Sequence, residues 1–173
     1  MISDDMVTAL LKRGFRFKSF GVQKKSELEA GTAYMVKEEK PYQSYKAFLE
    51  LSSQKNGLII TRVHPHRVKK LFGVSGDILW LSTVEMKDAI EPTQLSKLAF
   101  IINHFVRNNR GSAILLDGLE YLILQNDFDT VLKFLYSVTD YISLHKGILL
   151  LPLSPQTLSK SQIKLLEREL EPY

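Results

Sequence analysis

The amino-acid sequence predicts a three-layer α/β protein built on a mostly parallel, five-stranded sheet. Three observations carry this reading: five short, almost wholly apolar runs, helical patterns between them, and polar residues placed directly after the runs. Strands covered on both faces read as continuous apolar runs, and parallel strands need crossovers long enough for a helix. The loops at the carboxyl ends of such strands then share one rim.

Residues 1–30 form an amino-terminal extension in this reading, and residues 31–173 the α/β domain. Within the extension, Ser3 can cap a short helix over Asp4 to Arg13 that Gly14 stops. Phe15 to Phe20, PheArgPheLysSerPhe, alternates apolar and basic side chains as a strand or extended arm does. The first core strand is Gly31 to Val36, and Pro41 then opens a helix carrying Tyr45, Phe48 and Leu49 on its apolar side and ending near Asn56-Gly57. Leu58 to Thr61 is the second strand, Pro65 starts a short helix closed by Gly73, and Asp77 to Leu81 is the third strand, bearing the single tryptophan. Pro92 and Thr93 open a long helix with Leu95, Leu98, Ile101, Ile102 and Phe105 as its stripe. Ala113 to Leu116 is the central strand, and Phe128 to Leu144 the helix after it. Gly147 to Pro152 is the last strand, and Ser159 caps a final helix through Leu170.

Composition bounds the function classes. A chain of 173 residues that is 45% hydrophobic needs no metal or disulfide to hold a core. The absence of cysteine excludes thiolate zinc sites and thiol nucleophiles. No apolar run reaches 18 residues and the first residues are acidic, so neither membrane insertion nor a signal peptide is expected, and a cytoplasmic location is the default. The net charge of +4 is concentrated: residues 1–70 hold 14 Lys or Arg against 7 Asp or Glu, whereas residues 71–173 hold 9 against 12. The basic character belongs to the first half.

The stretch SerAlaIleLeuLeuAspGlyLeuGluTyrLeu, 112 to 122, resembles the apolar strand ending in Asp with which nucleotide-binding α/β cores hold Mg²⁺. Asp117 and Glu120, with Asp127 and Asp129 nearby in sequence, are the residue types for that task. The phosphate-binding half is missing. No GxxxxGK[ST] occurs, and the first strand is followed by LysGluGluLysPro, which puts Glu38 and Glu39 where phosphates would lie and leaves Lys37 and Lys40 without glycines to bend a loop. GxGxxG and GxSxG are also absent, and His145 precedes the last strand, toward the opposite end of the sheet.

The remaining polar residues fall at strand ends. Arg62, His64, His66 and Arg67 lie at the start of a helix, where an anion is favoured, although Arg62 bonded to Glu38, Glu39 or Asp117 is the ordinary structural outcome. With Lys37, Glu38, Glu39, Ser82, Asp117, Glu120 and Ser154, Arg62 and His64 make a candidate ligand or interaction rim. Asp117 capping the following turn and Glu120 pairing with a basic side chain are the structural expectations there. Tyr34, Tyr42, Tyr45 and Tyr121 are expected to pack with their hydroxyls at the surface. A second candidate contact surface, for a protein or nucleic acid, is the basic set Lys12, Arg13, Arg16, Lys18, Lys24 and Lys25.

Four blocks carry a resemblance to a known family: residues 32–41 (ThrAlaTyrMetValLysGluGluLysPro), 61–65 (ThrArgValHisPro), 78–82 (IleLeuTrpLeuSer) and 115–128 (LeuLeuAspGlyLeuGluTyrLeuIleLeuGlnAsnAspPhe). They resemble the archaeal domain family of unknown function number 835, over roughly residues 30 to 170. The resemblance implies a degenerate RecA-like or KaiC-like domain, here without a P-loop. Taken together, the residues predict a noncatalytic protein-interaction or regulatory domain with no cofactor and no metal, acting on a protein partner or a second copy of itself. Two alternatives stay open: nucleic-acid binding through residues 12–25, and nucleotide or anion sensing without turnover.

Overall fold

The computed structural model describes residues 28–173. Seven strands form one sheet: β1 Thr32–Lys37, β2 Gly57–Thr61, β3 Asp77–Leu81, β4 Ala89–Ile90, β5 Ala113–Asp117, β6 Ile148–Leu153 and β7 Glu171–Pro172. Their spatial order is β4-β3-β2-β5-β6-β1-β7, and every pairing is parallel. Six α-helices accompany them among the described residues: α1 Tyr42–Ser52, α2 Pro65–Phe72, α3 Leu95–Asn108, α4 Leu119–Gln125, α5 Phe128–His145 and α6 Lys160–Leu166.

This corrects the sequence-based expectation of a mostly parallel, five-stranded, RecA-like sheet. The sheet is all parallel and has seven strands, because β4 and β7 add two residues each at its two edges. Runs that short have no periodicity to read. They become strands only because β3 and β1 offer backbone to pair with, as in Trp80 opposite Ala89 and Met35 opposite Pro172. The helix expected to run to Leu170 stops at Leu166, and the chain turns there to reach β7.

Two apolar layers flank the sheet. One face buries Leu58, Ile60, Ile114, Leu116, Leu149 and Leu151 beneath helices including α3 and α5. The other buries Tyr34, Ile59, Leu115 and Leu150 beneath α1, which contributes Tyr45, Ala47 and Phe48, and α2, which contributes Val68. Adjacent residues of β5 alternate between the layers, so all four apolar positions of that strand are buried. Each such Leu or Ile contributes roughly 1.5–3 kcal/mol.

Helix ends follow local chemistry. Gly73 adopts φ 64° at the end of α2, the left-handed conformation glycine takes without strain. Asp127 begins α5 by accepting the Thr130 N–H at 2.8 Å, and Ser159 and Gln162 close a reciprocal capping box at α6. Since all strands run the same way, the ends of β1, β2, β3, β5 and β6 lie along one rim.

Candidate functional site

The centre of the rim is built by register. Thr61 stands opposite Asp117 in the β2–β5 ladder, and both end their strands. The Asp117 carboxylate accepts the Tyr45 hydroxyl at 2.9 Å and the Thr61 hydroxyl at 3.2 Å, both on Oδ2. Thr61 Oγ1 in turn accepts the Val63 N–H at 3.0 Å, which fixes the direction of the loop leaving β2. Tyr45 reaches Asp117 from α1, its ring wholly buried and stacked on Phe72 at 3.8 Å with 7° between the planes. One carboxylate therefore joins α1, β2 and β5.

Burial pushes the Asp117 carboxyl above the usual carboxylate range, and the charges of Glu120 and Glu38 add to the shift. The bonds from Tyr45 and Thr61 oppose it. Burial likewise pushes the Tyr45 hydroxyl up, reinforced by the Asp117 charge, so Tyr45 remains a donor. Gly118 follows in close packing: a Cβ there would lie 2.8 Å from Cδ1 of Leu81, and the buried Leu81 side chain would have to shift to admit it.

Glu38 occupies the amino terminus of α1. Its carboxylate accepts the Gln43 N–H at 2.8 Å, the Ser44 N–H at 3.1 Å and the Ser44 hydroxyl. Pro41, the residue before the helix, provides no side-chain cap, so a residue three positions earlier serves the free amides. A helix amino terminus is a general anion site, and the anion bound here is the protein's own. Lys37 is paired with Glu167 at 2.6 Å, and Glu39 is exposed.

Several other rim residues are not where the sequence puts them. Glu120 pairs with no basic side chain among the described residues; it accepts the Ser154 N–H at 2.9 Å and faces the Thr157 hydroxyl at 3.5 Å, anchoring the turn after β6. Asp117 does not cap α4, because its carboxylate is directed to Tyr45 and Thr61. Arg62 forms no ion pair with Glu38, Glu39 or Asp117; its guanidinium lies over the Tyr121 ring, 4.8 Å from the centroid. Tyr45 and Tyr34 are buried rather than surface-facing, the Tyr34 hydroxyl accepting the Glu29 N–H at 2.8 Å. For Asp117 and Glu120 the physical cause is the same: nearby hydroxyls and a strand-end amide compete for these acceptors and are held closer than flexible basic side chains.

His64 caps α2, its Nδ1 accepting the His66 N–H at 3.2 Å, and its ring meets Trp80 edge-on at 4.8 Å. Trp80 is half-buried, and its indole donates to the Arg62 carbonyl at 3.0 Å. Ser82 is buried and turned into its own loop, accepting the Val84 N–H at 3.2 Å. Asp127, bonded to Thr130 backbone and hydroxyl, is held below the usual carboxylate range and is occupied as a cap. Lys12, Arg13, Arg16, Lys18, Lys24 and Lys25 lie outside the described residues.

The structure thus brings Glu38, Asp117 and Glu120 near one another and joins Glu120 to Ser154, while Lys37, His64 and Ser82 face other neighbours. Thr61, Tyr45 and Tyr121 belong to the site and escape a residue-type search. Thr61 has a sequence signal, as the hydroxyl ending the second strand. Tyr45 and Tyr121 have none, since their role depends on where α1 and α4 dock. Among the described residues no group of three His, Cys, Asp or Glu side chains is placed to hold a metal ion, and no helix is long and apolar enough to cross a membrane.

The model of a family described as "Protein of unknown function (DUF835)" matches residues 37–170. A solved structure from Pyrococcus horikoshii OT3, titled a structural study of Project ID PH0250, is similar over 83% of this chain and 80% of its own, with 15% identity and a TM-score of 0.54. At that identity the likeness concerns the fold alone. No curated protein matches the chain.

Proposed function

The chain belongs to the DUF835 family, and from that premise we propose that it is a noncatalytic protein-interaction or regulatory domain. The observation that supports this most directly is Glu38 on the amino terminus of α1. There, two amides and the Ser44 hydroxyl, the groups with which a phosphate would be cradled, are bonded to a side chain of the protein itself. The neighbouring carboxylates are similarly engaged: Asp117 with two hydroxyls, Glu120 with the Ser154 amide. Phosphoryl transfer is catalysed mainly by preorganised donors and cations around the phosphate, and a rim of satisfied carboxylates works against such charge.

Exposed large apolar side chains, among them Leu124 and Leu144, give the domain surface with which to meet a partner. The test has two arms. Purified full-length protein incubated with Mg²⁺ and nucleoside triphosphate is expected to release no phosphate above the uncatalysed rate. As bait in extracts of its native cells, it is expected to retain a protein in stoichiometric amount. Hydrolysis by the wild type that disappears in Asp117→Ala would overturn the proposal.

A second reading has one specific support. Arg62 is exposed and lies on Tyr121 with no carboxylate partner among the described residues, so its charge is available to an anionic ligand. Anion sensing predicts a phosphate- or nucleotide-dependent rise in Tm that Arg62→Ala removes.

A further inference from the structure

At the end of the sheet opposite the rim, the structure has a cleft of about 790 Å³ with mixed apolar and polar walls, Lys55, His104 and Asn108 among the polar ones. Its walls include Phe48 from α1, Leu58 of β2, Val74, and Phe100, Ile101 and Phe105 of α3. Phe100 is 67% exposed, so its ring is available to a segment lying in the cleft. The cleft also touches Asp77, the first residue of β3. On its outer side β3 pairs with β4 only at Trp80 and Leu81, so among the described residues no strand pairs with Asp77, Ile78 and Leu79 there. A hollow partly walled by apolar rings, beside an incomplete sheet edge, fits an extended segment that supplies both backbone and rings.

We propose that this occupant is the chain's own segment Phe15 to Phe20, laid along β3 with Phe15 and Phe17 in the cleft. The sequence PheArgPheLysSerPhe places Phe15 and Phe17 on one face of an extended strand and Arg16 and Lys18 on the other. Apolar rings then meet the cleft and the basic groups meet water.

Connectivity supports a segment of the same molecule. The described chain begins at Leu28, which packs against the core layer containing Tyr34 and Phe48, just before β1. Because the strands are parallel, the start of β1 and the cleft lie at the same end of the sheet. From β1 to the position outside β3 is five strand steps, about 24 Å at the usual spacing. The residues from Phe20 to Leu28 span up to about 26–29 Å when extended, so the reach suffices. Tethering also sets an effective concentration on the order of millimolar, which lets modest apolar contact hold the segment where a free peptide of the same sequence would dissociate.

The chain contains no cysteine, so Ser19→Cys provides a single attachment point for a nitroxide in the full-length protein. The expected result is loss of amide signal at Gly76, Asp77, Phe100 and His104, with Asp117 and Ser154 unaffected. Phe100→Ser, a change at an exposed position, is expected to restore the lost signals. Loss at another surface, no loss, or loss that persists in Phe100→Ser would overturn the proposal. So would loss seen only between molecules, in a mixture of spin-labelled and isotope-labelled chains, since the occupant would then be a second copy.

Discussion

Burial of the Asp117 carboxyl, with the charges of Glu120 and Glu38 nearby, opposes its ionisation more than the hydroxyls of Tyr45 and Thr61 favour it. Its folded pKa is raised, so the protonated form contributes stability below the unfolded value of 3.8, and that contribution is lost as pH rises through the folded pKa. Asp117→Asn keeps an oxygen for Tyr45 and Thr61 and removes the charge. Urea unfolding should therefore find the variant more stable than wild type at pH 7, with the difference vanishing below pH 3.8. Tyr45→Phe tests the other partner: the ring still stacks on Phe72 but the donor is gone, at an expected cost of about 2 kcal/mol. Glu38→Ala leaves the first amides of α1 free and should cost about 1 kcal/mol. It also vacates an anion position, so inorganic phosphate should raise the Tm of Glu38→Ala and leave that of the wild type unchanged. Equal responses would remove Glu38 as the internal anion.

Elements constrain one another most tightly where β5 turns into α4. Gly118 sits against Leu81 at the end of β3, where a methyl group would force the Leu81 side chain to shift. Gly118→Ala should destabilise the fold by roughly 1–3 kcal/mol through overpacking. Trimming the opposing side chain should make the two changes less costly together than the sum of their separate costs, as a double-mutant cycle with Leu81→Ala would measure. The strand ending AspGly was legible in the sequence because β5 is apolar at every position before Asp117, and β3 was legible to the residue as Asp77 to Leu81. What Gly118 packs against was not, since it depends on β3 and β5 flanking β2 in the sheet order. Arg62 fails for a related reason. Sequence offers it three carboxylates, whereas α4 presents the Tyr121 ring and the carboxylates face donors nearer to hand.

For the molecule as a whole, the decisive feature is how a seven-stranded parallel sheet ends. Parallel sheets are covered on both faces, so their remaining liability is the backbone along the two edges. One edge is β4, two residues long. The other is β7, where Tyr173 donates to the Met35 carbonyl at 3.2 Å and Pro172 precedes it. Adjacent residues of a strand point their amides to opposite sides, so the amide that Pro172 lacks would have faced outward, where a further strand would pair. Such edge devices leave almost no trace in hydrophobic patterning, and the sequence reading stops at five strands for that reason. Along β3, Asp77 to Leu79 is the stretch that no strand among the described residues pairs on its outer side, and Asp77 adjoins the cleft. Among the described residues the two edges therefore differ: one is closed by proline, the other has three residues with no strand paired to them. Pro172→Val should restore the outward donor while the bond from Tyr173 to Met35 persists, changing folding stability by no more than about 0.5 kcal/mol. Sedimentation equilibrium should then show concentration-dependent association that the wild type lacks, and an unchanged monomer fraction would mean that Pro172 does not guard this edge.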